Sequence, residues 1–139
     1  NIVGVGREQD WNSHGIEHEL SALYDCAHGA GLAVIMPSWM EYVMHHDVMR
    51  FAQVATRVWG CQMNFTHPEE PAKEGIKRFR QFLHSIGMPI NFKELGAKES
   101  DIPHLVKTFG IGDGETGGFV HLKANDIANI YKIAVDASV

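Results

Sequence analysis

The sequence predicts an all-α fold, a compact domain of about six to eight helices with little or no strand. Apolar residues recur at three- and four-residue spacing through most of the chain. Strict alternation is confined to residues 89–92, and capping residues fall where the helical periodicity begins and ends. Residues 12–20 open the series with His14 and His18 four apart on one helical face. Residues 31–44 are almost wholly apolar, and Pro37 predicts a kink or a split there. In residues 47–59 the stripe is Val48, Phe51, Ala52, Ala55 and Val58. In residues 68–86 it is Ile76, Phe79, Leu83 and Ile86, with Pro68, Glu69 and Glu70 at the favoured end and Gly87 as a C-cap. Residues 89–92 read as a short extended link, and 100–109 as a helix burying Ile102, Leu105, Val106 and Phe109. A glycine-rich stretch, 110–118, is the longest loop. The last helix begins near Asn125 and Asp126 and buries Ile127, Ile130, Tyr131 and Ala134.

Composition bounds what such a domain does. With 139 residues, 45% of them hydrophobic, the chain suits one core, so a single domain over 1–139 is expected. A net charge of −5 excludes a generally basic nucleic-acid binder. The longest apolar run, 31–37, is too short for a bilayer, so no membrane partner is expected. Cys26 and Cys61 make no disulfide framework and no secretory signal opens the sequence, which predicts a reduced, cytoplasmic protein.

Several motifs carry no chemistry. Residues 112–117 match G-x-G-x-x-G, but a helix rather than a strand precedes them, and Asp113 and Glu115 would repel a phosphate. A loop between helices is the better account. Asn64-Phe65-Thr66 is a glycosylation sequon by letters alone. His45 and His46 leave a helix end in two directions and should be solvated, while His67, His84, His104 and His121 are scattered.

His14, His18 and His28 are different. Three imidazoles within fifteen residues suit a divalent cation, because neutral imidazole is the commonest nitrogen ligand. An unbroken helix would set His28 about 21 Å along the axis from His14, too far to share an ion. A shared site therefore requires the first helix to stop near residues 20–22 and residues 21–27 to turn back, with His28 heading the next helix. A metalloprotease H-E-x-x-H is excluded, because Ala22 stands where its second histidine belongs.

Residues 10–20 and 27–33, with 36–40, 52–60, 82–89 and 117–134, resemble the iron-containing (group III) alcohol dehydrogenases, specifically their butanol dehydrogenase-like branch. The likeness runs in order over essentially the whole chain and is most specific in the histidine block. It implies the α-helical C-terminal domain of the dehydroquinate synthase-like architecture, inactive alone, with the family's N-terminal nucleotide-binding domain absent from these residues. By the same resemblance His14 and His28 are metal ligands, and His18 lines the cleft near nicotinamide and substrate as a proton relay or orienting group. No residue here matches the family's cofactor-binding glycine loop. The implied reaction interconverts alcohols and aldehydes by hydride transfer, with a divalent metal, iron or zinc, and NAD or NADP. Partners are then a small alcohol or aldehyde and the missing domain. A face left exposed by that domain favours self-association, so a homo-oligomer is expected. The alternative is a stand-alone helical metal-binding or sensor module without redox chemistry.

Overall fold

A computed structural model describes residues 2–139. Among them seven α-helices follow in order: α1 (Asn12–Tyr24), α2 (His28–Val43), α3 (Val48–Trp59), α4 (Glu69–Ser85), α5 (Phe92–Leu95), α6 (Ile102–Phe109) and α7 (Ala124–Asp136). Single 3-10 turns occupy Met44–His46 and Glu99–Asp101. The described residues hold no sheet, only an isolated antiparallel bridge between Thr116 and Leu122. Among the described residues no helix is long and apolar enough to cross a membrane.

Helix α2 is central because it is apolar nearly all round. It touches α1, α4, α5 and α7, and buries Val34, Ile35 and Val43 in a core shared with Ile16, Leu20, Ile76, Leu105, Ile127, Ile130 and Tyr131. Helices α3 and α4 make the most intimate pair. Gly75 faces Ala55, and a Cβ built on Gly75 would lie 2.8 Å from the Ala55 Cα, so only glycine lets the two backbones come this close. The Asn64 side chain shapes the connection between them, its Oδ1 accepting from the Thr66 and His67 amides at 3.0 Å each. That is an Asx turn, the ordinary work of an asparagine in a loop.

Several expectations need correction. Of the kink or split expected at Pro37, the split is absent: α2 runs through the proline as one helix. The proline is buried in a helix clamped on several sides, and packing outweighs the lost backbone bond. Helix α1 extends to Tyr24, beyond the expected stop at residues 20–22. Residues 89–91 form a short link outside any helix, with Asn91 extended as expected, but Phe92 departs from that reading: it is buried at the start of α5, whose N-cap Asn91 accepts from the Glu94 amide at 2.9 Å. Helix α7 starts at Ala124, and its capping acid sits three residues inside, where Asp126 accepts from the Lys123 amide at 2.7 Å. Val58 and Ile86 complete their stripes on paper but are 63% and 53% exposed, because each lies at a helix end beyond its packing partner. The other predicted stripe residues are buried or half-buried, and His45 and His46 are exposed.

The glycine-rich loop is pinned at its far end. Asp10 Oδ2 accepts from the amides of Gly118 and Phe119 at 3.1 and 2.9 Å. Its Oδ1 accepts from the Asn12 amide at 2.7 Å, and Asn12 Nδ2 donates to the Thr116 and Val120 carbonyls. The start of α1 is thereby fastened to the chain just before α7. Residues 112–115 remain exposed, and a helix rather than a strand precedes them.

Candidate metal centre

The site forms where α1 ends and α2 begins. Asp25 adopts the left-handed conformation (φ 51°) and its amide bonds the Ser21 carbonyl at 3.0 Å, closing α1. Only Asp25, Cys26 and Ala27 separate the helices, so the reversal is tighter than the seven residues that spacing required. His28 is the first residue of α2, as expected, and lies back against α1.

On α1, His14, Glu17, His18 and Ser21 stand at positions i, i+3, i+4 and i+7, one stripe facing the head of α2. The His28 ring centroid is 5.5 Å from that of His14 and 5.3 Å from that of His18. All three histidines singled out by spacing are thus brought together; His67, His84, His104 and His121 are not part of the cluster. Trp11 packs edge-on to His14 at 5.0 Å and flanks the opening. His18 and His28 are exposed and His14 half-buried, so the rings line an open surface rather than a sealed cavity.

Behind the rings lies a residue that spacing did not flag. Glu17 is completely buried. One carboxylate oxygen contacts His28 Nδ1, and the other accepts from the Ser21 hydroxyl. A Cβ on Gly31 would fall on the Glu17 side chain, so the missing side chain on α2 makes room for the carboxylate. One signal was available. Asn12, Ser13, Ile16, Glu17 and Leu20 form the buried stripe of α1, and an acid in such a stripe is out of place unless something on the facing helix meets it.

Burial first, then the neighbouring His28 and His18, hold the His14 imidazole below its ordinary value; Glu17 opposes this more weakly. The neutral ring is the form that ligates a metal. Among the described residues, ligand-type atoms of Glu17, His18 and His28 lie within 4.8 Å of one another. His14 lies outside that set, although its ring centroid is at nearly the same distance from that of His28 as the His18 centroid is. The donor set fits a divalent cation of borderline softness: several imidazoles converge, and a carboxylate stands behind one of them in the position that orients metal-bound histidines.

The site thus gathers three imidazoles at a helix reversal in a helical domain that holds no sheet among the described residues. Residues 2–135 match the Fe-containing alcohol dehydrogenase family, C-terminal, and the chain belongs to that family. It is 35% identical over 133 residues to NADH-dependent butanol dehydrogenase A of Clostridium acetobutylicum, covering 94% of this chain and 34% of that protein. It is 30% identical over 134 residues to probable NADH-dependent butanol dehydrogenase 1 of Bacillus subtilis, covering 96% of this chain and 34% of that protein. Among solved structures, NADH-dependent butanol dehydrogenase A from Thermotoga maritima superposes with a TM-score of 0.82 at 34% identity, over 91% of this chain and 33% of that one. The aldehyde reductase YqhD from E. coli gives 0.86 at 26%, over 96% and 35%. The chain therefore spans about a third of the length of these relatives.

Proposed function

We propose that this domain forms one wall of the active site of an NAD(P)-dependent alcohol dehydrogenase, supplying His14 and His28 as ligands of a divalent metal. The observation that carries this reading is the convergence of three imidazoles across the α1–α2 reversal in a member of this family. When bound, the cation contributes Lewis-acid polarisation of a small alcohol or aldehyde, and a nicotinamide gives or takes the hydride. His14 and His28 would hold the cation from two helices joined by a three-residue turn, which fixes their separation. His18, exposed on the same stripe, is placed to orient substrate or move a proton at its ring nitrogens. Iron and zinc both suit these donors, and the names of the butanol dehydrogenase relatives favour NAD(H).

The nucleotide-binding domain and the remaining ligands lie outside these 139 residues on this reading, and the chain alone is inactive. The test is the paired variant His14→Ala/His28→Ala in the full-length enzyme, with metal content measured by elemental analysis alongside alcohol-dependent nicotinamide reduction. Loss of both supports the reading, and unchanged metal stoichiometry overturns it. His18→Ala should keep the metal and lose turnover; a variant with wild-type turnover removes His18 from the mechanism.

A further inference from the structure

Glu17 is an expensive residue to keep. Its carboxylate has no exposure to solvent, and no lysine or arginine is paired with it among the described residues. An ionised carboxylate in that position carries a large desolvation penalty unless each oxygen is matched, and an apolar residue of similar size would pack more favourably. Both oxygens are matched, by His28 Nδ1 and by the Ser21 hydroxyl, and the neighbouring helix gives up a side chain at Gly31 to admit the group. So much local structure converges on one oxygen facing one imidazole nitrogen.

We propose that Glu17 is a positioning residue, whose carboxylate accepts the Nδ1–H of His28, fixes that tautomer, and leaves Nε2 on the open side as the metal-binding atom. The proposal rests on the reading above that His28 ligates the metal. An ionised carboxylate is acceptor-only, so the ring nitrogen that meets it carries the proton. That proton leaves the opposite nitrogen with a free lone pair, and the carboxylate makes that nitrogen a stronger donor. The same contact argues against Glu17 as a direct ligand, since two atoms joined by a hydrogen bond do not hold a cation between them. Ser21 acts one step further back, by holding the other carboxylate oxygen.

The experiment uses the full-length enzyme and a zinc competition assay against a fluorescent chelator. Glu17→Gln, which keeps size and shape, should weaken zinc binding by about 10- to 100-fold. Ser21→Ala should weaken it less. A double-mutant cycle separates positioning from ligation. In a His28→Ala background, Glu17→Gln should have no further effect, whereas an independent ligand would show its full loss again and overturn the proposal. The second readout needs no metal. Nitrogen-15 shifts of the metal-free enzyme should show His28 locked as the Nδ1–H tautomer, and Glu17→Gln should release a mixture. Unchanged zinc affinity together with an unchanged tautomer refutes the positioning role. If His14→Ala/His28→Ala leaves zinc affinity untouched, the metal reading itself fails and takes the proposal with it, a result distinguishable from failure of the Glu17 variants alone.

Discussion

Gly31→Ala and Gly29→Ala place the same methyl group two residues apart on α2, and the structure predicts opposite signs. A Cβ on Gly29 meets nothing within 4 Å. Replacing glycine by alanine there restricts the unfolded chain and should stabilise by about 0.4–1 kcal/mol. On Gly31 the new Cβ would lie 2.7 Å from Glu17 Cγ and 2.9 Å from Cδ, closer than carbon atoms approach. The gain in helix propensity is the same, about 1 kcal/mol at most. Against it, Glu17 must withdraw from a pocket where it bonds both Ser21 and His28. Hydrogen bonds to a charged group are worth about 1.5–3 kcal/mol, so losing one of the two leaves a net destabilisation of about 0.5–2 kcal/mol. For a domain of this size that lowers Tm by about 2–8 °C. Urea unfolding followed by helix circular dichroism measures both variants. Glu17→Ala should abolish most of the penalty of Gly31→Ala, because the clash partner is gone. Equal stability of the Gly29→Ala and Gly31→Ala proteins, or a Gly31→Ala penalty that persists without Glu17, would refute the claim that Gly31 exists to admit the carboxylate.

Two further outcomes test the frame that holds the site. Gly75→Ala should destabilise by about 1–3 kcal/mol, because the new Cβ would meet both the Cβ and the backbone Cα of Ala55, and Ala55→Gly, which removes only the first of these contacts, should restore part of the loss in the same urea assay. Tyr131 is buried, and its hydroxyl donates to the Ile16 carbonyl at 2.7 Å, tying α7 to α1. Burial first, then Glu19 and Glu17, raise its phenol far above the ordinary 10.0. The folded state therefore keeps a proton that the unfolded chain releases above pH 10, so this stabilisation is intact below that pH and falls as pH rises beyond it. Tyr131→Phe should cost about 0.5–1.5 kcal/mol at neutral pH and flatten the alkaline decline by up to about 1.4 kcal/mol per pH unit. An unchanged alkaline slope would show that another group controls it.

The helical class was legible because α3, α4, α6 and α7 carry clean stripes with caps at their ends, and such patterns depend on local spacing alone. The reversal after α1 was legible for a different reason. A shared ion forbids a straight rod between His14 and His28, so the bend was deduced from chemistry rather than propensity; its far edge at His28 was right and its near edge was missed by two to four residues. What stayed hidden depends on contacts distant in sequence. Pro37 reads as a helix breaker until α2 is seen enclosed by its neighbours. Glu17 reads as a solvated acid between two histidines until the facing Gly31 is seen to lack the side chain that would displace it. The fastening of residues 116–120 by Asp10 and Asn12 joins positions more than a hundred apart, beyond the reach of any window of sequence.

The exposure of the rings bears on how such a centre would be completed. Glu17 is sealed behind His28, while His18 and His28 face outward. Imidazoles from one helix pair fill one side of a coordination sphere of four to six positions, and a side open to bulk water gives neither the low dielectric nor the exclusion of solvent that hydride transfer needs. On the proposed function, then, the cleft closes only when a second body meets the face formed by Trp11, His14, His18 and His28. A cation held by both sides would be part of what keeps them in register. It follows that metal removal should loosen the contact between this domain and the rest of the enzyme as well as stop turnover, because the same atoms would serve chemistry and assembly.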